Sequence, residues 1–201
     1  EETIRVGSYA SIAVHWLPEL IQRFRDRHPD VAVDIQMGSV QEVYRWVRED
    51  KVDMCFASHQ EGGNFDWIHL RNDPLLAILP PGYDLRGCSS LPVSRLEGLD
   101  FLMPSLGFHL DIMRALGDVK PNIQQTHVND SVIISMVEHG LGVSILSELV
   151  LRGRRDNVVA VPLDPPAVRE LGIAVRSKKE LRPIARRFIT ETKEILENIP
   201  L

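Results

Sequence analysis

Hydroxyl-bearing residues stand directly behind three apolar runs in the first 59 positions. Ser8, Tyr9 and Ser11 follow IRVG, Ser39 follows VAVDIQMG, and Ser58 with His59 follows VDMCFA. Hydroxyls and unpaired backbone N–H groups at the junction of a strand and a helix can hold an anion or a carboxylate. The same residue types also cap helices. Ser39-Val40-Gln41-Glu42 has the form of a capping box, with serine at the cap and glutamate three residues on. A second group repeats the pattern later in the chain. Met103, Pro104 and Ser105 end the run Phe101-Leu102-Met103, and His127, Asn129 and Ser131 follow a polar strand over 123–128.

Patterns that would do covalent chemistry are missing from the sequence. No Gly-x-Ser-x-Gly elbow and no phosphate loop of the Walker type occurs. Gly140-Leu141-Gly142 follows a helix, which is the wrong context for a nucleotide fingerprint. The seven histidines have no metal-ligand spacing, and no paired acid and base stand out. Binding, with no catalysis, no cofactor and no metal, is therefore the expectation.

The elements that must position these residues alternate between strand and helix. Strands are expected over IRVGSY, VAVDIQMGS and VDMCFAS. Between them lie a helix with Ile12, Trp16, Leu17, Leu20, Ile21 and Phe24 on one face, and a shorter helix burying Val43, Trp46 and Val47. This is a β-α-β-α-β unit. In a parallel sheet the carboxyl ends of the strands form the place where ligands bind. The second strand alternates Val31, Val33, Ile35 and Met37 with polar residues, so one face is buried and the other meets solvent or a partner subunit.

After an apolar strand over 73–80 and the turn Pro80-Pro81-Gly82, segments shorten and turns multiply. Asn129-Asp130-Ser131 caps a helix that would bury Val132, Ile133, Met136 and Val137. A last helix near 183–199 would bury Ile184, Phe188, Ile195, Leu196 and Ile199. Two α/β lobes follow: residues 1–79 with 163–201, and an inserted lobe 80–162. Two crossover strands would join them, and a cleft would capture a small ligand.

Composition agrees with this. The 201 residues are 44% hydrophobic and 25% charged, with a formal net charge of −5. That balance argues against this chain alone gripping a phosphate backbone. No apolar run is long enough for a membrane span. Cys55 and Cys88 are expected to stay reduced. Arg152, Arg154 and Arg155 are expected in a solvated loop.

IRVGS, LPELIQRFRDRHPDV, VDMCFA, NDSVIISMVEHGLGVSILSELV and RELGIAVR with its following helix, taken in order, resemble the effector-binding (co-inducer) domain of LysR-type transcriptional regulators. Ser147 stands where that family usually has proline. The resemblance implies the type 2 periplasmic-binding-protein fold, α/β in class, and a small-molecule effector as partner; the strand-end hydroxyls suit an anion or a carboxylate. It also implies an upstream winged helix-turn-helix domain through which alone the full protein meets DNA, and a cytoplasmic location. A homodimer is implied in which the first helix and second strand pack antiparallel against the second lobe of the mate, with 132–137 near that contact, and a tetramer for the full-length protein. The alternative is a periplasmic solute-binding protein of the same fold, which would carry an export signal.

Overall fold

A computed structural model describes residues 2–104, 106–154 and 157–199. Two compact units are formed: unit 1 comprises residues 1–72 and 170–201, unit 2 residues 73–169. The sequence reading divided the chain at 79/80 and 162/163. The observed divisions fall inside two continuous strands, where no turn or composition change marks them.

Unit 1 starts with β1 (Glu2–Ser8), followed by α1 (Ala10–His15), α2 (Leu17–Arg27), β2 (Val31–Met37), α3 (Val40–Arg48) and β3 (Met54–Ser58). β4 (Asp66–Leu79) leads out of the unit, and β10 (Val168–Val175) returns to it before α7 (Pro183–Asn198). The sheet order is β2-β1-β3-β10-β4. β1 lies parallel to β2, with Ser8 opposite Met37, and parallel to β3, with Ser8 opposite Phe56. β10 runs antiparallel to β3, placing Leu171 opposite Ser58.

The expected first helix is broken. Pro18 has no N–H to continue the ladder, and Trp16 sits at φ −115°, ψ −49° between α1 and α2. The apolar face persists across the break: Ile12, Trp16, Leu17, Leu20 and Phe24 are buried, while Ile21 is half-buried. Phe24 meets Phe188 of α7 edge-on, with ring centroids 5.1 Å apart. Buried Glu191 of α7 accepts from Arg27 Nη1 at 2.9 Å and pairs with His28 Nε2 at 2.9 Å, tying the end of α2 to α7. Within α7, Ala185 and Ile189 are buried where Ile184 and Ile199 had been expected, and the latter two are half-buried.

The alternating strand β2 does not bury one face within its own chain. Val31 and Val33 are half-buried, but Ile35 is 38% and Met37 61% exposed. β4 is one strand of 14 residues that begins at Asp66, ahead of the apolar strand expected over 73–80.

Unit 2 holds β5 (Leu91–Pro92), β6 (Asp100–Met103), α4 (Leu106–Leu116), β7 (Asn122–Gln125), α5 (Asp130–Glu138), β8 (Ser144–Ser147), α6 (Glu148–Leu151) and β9 (Val159–Asp164), with the second half of β4. β8 and β9 both pair antiparallel with β4, and β6 pairs parallel with β7. α5 buries Ile133, Ile134 and Val137. Val132 is 40% exposed and Met136 half-buried, so the inward face is rotated from the one the sequence suggested.

The two glycines of Gly140-Leu141-Gly142 have structural reasons. Gly140 ends α5 at φ +74°. A Cβ on Gly142 would lie 2.9 Å from the Asp100 carbonyl oxygen, so only glycine lets this segment reach β6, where Val143 N donates to Asp100 O and Leu102 N to Val143 O.

Charge is buried where unit 2 begins and ends. Arg169 is 2% and Asp73 1% exposed, with Arg169 Nε 2.7 Å from Asp73 Oδ2. The other carboxylate oxygen accepts Leu149 N at 3.0 Å, and the guanidinium carbon lies 4.6 Å from the Phe108 ring centroid. Asp73→Ala removes the carboxylate 2.7 Å from a buried guanidinium and leaves the Leu149 amide without its acceptor, so unfolding in urea should show a loss of about 3–5 kcal/mol. The double variant Asp73→Leu with Arg169→Met should recover most of it. A single-variant loss below about 1 kcal/mol, typical of exposed pairs, would contradict this account.

Candidate functional site

The structure brings together the hydroxyls behind β1 and β3. Ser8 and Ser58 are fully buried and Tyr9 is 8% exposed. Parallel pairing sets the two strand ends side by side, and Tyr9 N donates to Phe56 O at 3.2 Å. Tyr9 Oη and Ser58 Oγ are 3.3 Å apart. Gln60 Nε2 donates to the same Oγ at 3.3 Å, and Tyr44 Oη donates to the Ser58 carbonyl at 2.7 Å. Ser8 Oγ turns back to donate to the Tyr9 carbonyl at 2.9 Å. Gly38 N donates to Ser8 O at 3.2 Å, which draws the end of β2 to the same place.

Tyr44 and Gln60 belong to this network and had not been singled out. Tyr44 lies on the inward face of α3 beside Val43 and Val47, and its role depends on a carbonyl 14 residues away. Burial pushes its phenol well above the ordinary range, so Tyr44 acts as a neutral donor. The network consists of neutral groups that both donate and accept, and it can read hydroxyl or carboxylate oxygens on a ligand.

The remaining candidates of unit 1 are more exposed. Ser11 is half-buried on α1. Ser39 is exposed, and both arms of its capping box are formed: Glu42 N reaches Ser39 Oγ at 3.3 Å, and Ser39 N reaches Glu42 Oε1 at 3.1 Å. His59 donates its N–H to Glu170 O at 2.9 Å, and its ring lies 4.9 Å from that of Trp67.

In unit 2, Met103 and Pro104 are buried at the end of β6, and Thr126 Oγ1 donates to Met103 O at 2.8 Å. Ser105 lies outside the described residues. Asn129 is exposed and caps α5, its Oδ1 accepting Val132 N at 3.1 Å. His127 and Ser131 are exposed, and Arg154 Nη1 donates to Ser131 Oγ at 3.0 Å. Arg154 is thus engaged and not merely solvated; Arg155 lies outside the described residues. Asp130 opens α5, and burial pushes its carboxyl up against the opposing pull of Arg169 and Arg154. Ser147, in place of the usual proline, caps α6 by accepting Val150 N at 3.3 Å.

Among the described residues no group of three or more potential ligands could hold a metal ion, and no helix is long and apolar enough to cross a membrane. Cys55 is buried, which pushes its thiol up to about 12, and Cys88 is exposed; both are free.

Two α/β units, a mixed sheet in which the ends of the parallel strands β1 and β3 carry hydroxyls, and two strands running through both units define the type 2 periplasmic-binding-protein fold. Residues 1–197 match the family described as LysR substrate binding domain, and the chain belongs to that family, the effector-binding domain of LysR-type transcriptional regulators. The helix-turn-helix-type transcriptional regulator YvbU of Bacillus subtilis (strain 168), itself uncharacterized, is 28% identical over 199 residues, covering 96% of this chain and 67% of that protein. The effector-binding domain of QuiR, solved in complex with shikimate, matches with a TM-score of 0.89 at 18% identity, covering all of both chains. The regulatory domain of CcmR from Synechocystis PCC6803, solved in complex with 2-PG, matches with a TM-score of 0.85 at 19% identity, again covering all of both. Such matches favour the regulator over the exported solute-binding protein.

Tyr44 gives the hydroxyl network its own test. Tyr44→Phe leaves the buried Ser58 carbonyl without its donor and should cost about 1–3 kcal/mol in urea unfolding. Because the folded state raises the phenol pKa, the stability Tyr44 contributes is full below its ordinary value of about 10 and is lost as pH climbs beyond it. Wild type should therefore lose stability above pH ~10 more steeply than Tyr44→Phe. Parallel pH profiles would show that the phenol is not sequestered.

Proposed function

We propose that this chain senses a small hydroxylated carboxylate and acts by binding, without catalysis. The observation that carries this reading is the meeting of Ser8, Tyr9 and Ser58 at the carboxyl ends of two adjacent parallel strands. Ser11, Ser39 and His59 would add contacts from unit 1. Met103, Pro104, Ser105, His127, Asn129 and Ser131 would add them from unit 2. The shikimate complex of QuiR supports this ligand class. An effector acts by its differential affinity for two states of the domain, and it shifts their populations by no more than that difference.

In the whole protein the shift would reach DNA through an upstream winged helix-turn-helix domain, in the cytoplasm. The chain would signal as a homodimer, with a tetramer for the full-length protein. Exposed apolar residues support a dimer: Val14, Ile35 and Met37 on α1 and β2, and Leu110, Met113 and Val132 on α4 and α5. The first three lie on the helix and strand expected to face the mate.

A thermal-shift screen of small carboxylates that includes shikimate tests the sensing role. A ligand at about 100 times its Kd stabilises by about 2.7 kcal/mol, which in a chain of this size raises Tm by about 5–10 °C. Ser58→Ala should reduce the shift of any hit at least tenfold in apparent Kd. Asn129→Ala should lower the apo Tm by about 2–4 °C through loss of its cap, the cost being about 1 kcal/mol. A hit whose affinity ignores both Ser58→Ala and Asn129→Ala would sink the site assignment.

Sedimentation tests the dimer separately. Wild type should sediment as a dimer, and Met37→Glu, placed on an already exposed side chain, should give a folded monomer. A wild-type monomer at high concentration would remove this interface.

A further inference from the structure

The end of the unit 1 sheet opposite the strand-end hydroxyls carries charge. Over 176–187 six cations stand against one carboxylate, and all six are exposed, in a chain whose net charge is −5. The negative total hides a segregated basic face. This segment leaves β10, makes one 3₁₀ turn over Lys178–Glu180 and opens α7.

The segment is fixed to the sheet. Arg182 Nη2 donates to Asp53 Oδ2 at 2.9 Å and to Thr3 O at 2.6 Å. Lys178 N donates to Asp66 Oδ2 at 2.7 Å, and Arg186 Nη2 donates to Lys179 O at 2.8 Å. Arg176 pairs with Glu180 at 3.3 Å. Among the described residues the side chains of Lys178, Lys179 and Arg187 enter no ion pair. A groove of about 480 Å³ beside them holds Arg27, Arg186 and Arg187. Its acids are Glu194 and Glu191, and Glu191 is already bound to Arg27 and His28.

Helix electrostatics explain only part of this charge. Arg27 lies in the last turn of α2, where the dipole favours a cation. Arg186 and Arg187 lie in the opening turns of α7, where the dipole favours acids, and the first turn of α7 has none. Places where a local rule is broken in this way are expected at functional surfaces.

The chemistry of the face selects its occupant. Among the described residues, none of the exposed large apolar side chains belongs to the segment, so it lacks the anchors of a protein interface. Exposed cations alone suffice for phosphates. We propose that this face is a second, sequence-independent contact with the phosphate backbone of DNA.

The proposal rests on the regulator reading, and the geometry ties the two together. The bond from Arg182 to Thr3 sets the basic face against the start of β1, where an upstream DNA-binding domain would join. That domain would then not be the sole contact with DNA. A short link makes the local DNA concentration on the order of 1 mM, so a contact with a Kd of about 0.1 mM adds about tenfold to the affinity of the whole protein.

Fluorescence anisotropy with a labelled duplex of arbitrary sequence tests the contact on this chain alone. At about 20 mM salt the duplex should bind with a Kd on the order of 0.1 mM, and log K should fall with log salt at a slope of about −3, as three or four phosphates shed counterions. Lys178→Glu, Lys179→Glu and Arg187→Glu together should weaken binding about tenfold or more and flatten the slope, at an unchanged urea midpoint. Arg86→Glu, Lys120→Glu and Arg152→Glu make the same change in net charge on exposed side chains of unit 2, and together they should weaken it less than about threefold. Absence of binding, a flat salt dependence, or equal losses in the two triple variants would each overturn the proposal. Tighter binding of poly-L-glutamate than of the duplex would assign the face to an acidic protein and also overturn it. Any of these failures leaves the sensing role standing, because the thermal shift reads the hydroxyls at the other end of the sheet.

Discussion

A carboxylate and a guanidinium, both almost wholly withdrawn from water, sit where the chain enters and leaves unit 2. Asp73 and Arg169 are the first and last residues of that unit, and each is held by more than the other. Asp73 also fixes the first turn of α6 through Leu149 N, and Arg169 stacks on Phe108 of α4. Burying two charges is costly, and the pair offsets that cost through its mutual hydrogen bond and the further contacts each group makes. The two passing strands, α4 and α6 are thereby referenced to one point. The end of β6 and the cap of α5 are carried on the same core.

Unit 1 is organised differently, around neutral groups. Parallel pairing brings two strand ends together, and the hydroxyls behind them complete one another's hydrogen bonds. Ser58 is the common member, with its carbonyl bound to Tyr44 and its hydroxyl between Tyr9 and Gln60. Such a network stays adaptable: each hydroxyl can donate or accept, so a ligand oxygen can replace one partner without leaving a buried group unpaired.

The parts of this arrangement that were legible in the sequence are local. The β-α-β-α-β unit follows from spacing of three and four residues between short apolar runs, and the capping box at Ser39 and the glycine stop at Gly140 follow from residue types a few positions apart. The break at Trp16 was also written there, in Pro18, but the continuity of the apolar face concealed it. The orientation of α5 was ambiguous because apolar residues occupy 132–134, 136 and 137, and only packing decides that Ile134 goes in and Val132 out. Arg169 and Tyr44 were illegible for another reason. Their partners lie 96 and 14 residues away, and the residue types taken alone suggest a solvated cation and a core aromatic.

β2 is the edge of the unit 1 sheet, and among the described residues no strand lies beside its outer row of backbone N–H and C=O groups. With Ile35 and Met37 exposed, VAVDIQM would make an effective template for a further strand. Asp34 and Gln36 lie on the opposite face of the strand from Ile35 and Met37, placing a charge and an amide along the same edge. In a chain made in excess of any partner, these two side chains disfavour the addition of a further strand at this edge. Their retention would protect it from aggregation even if they contributed nothing to folding or ligand recognition.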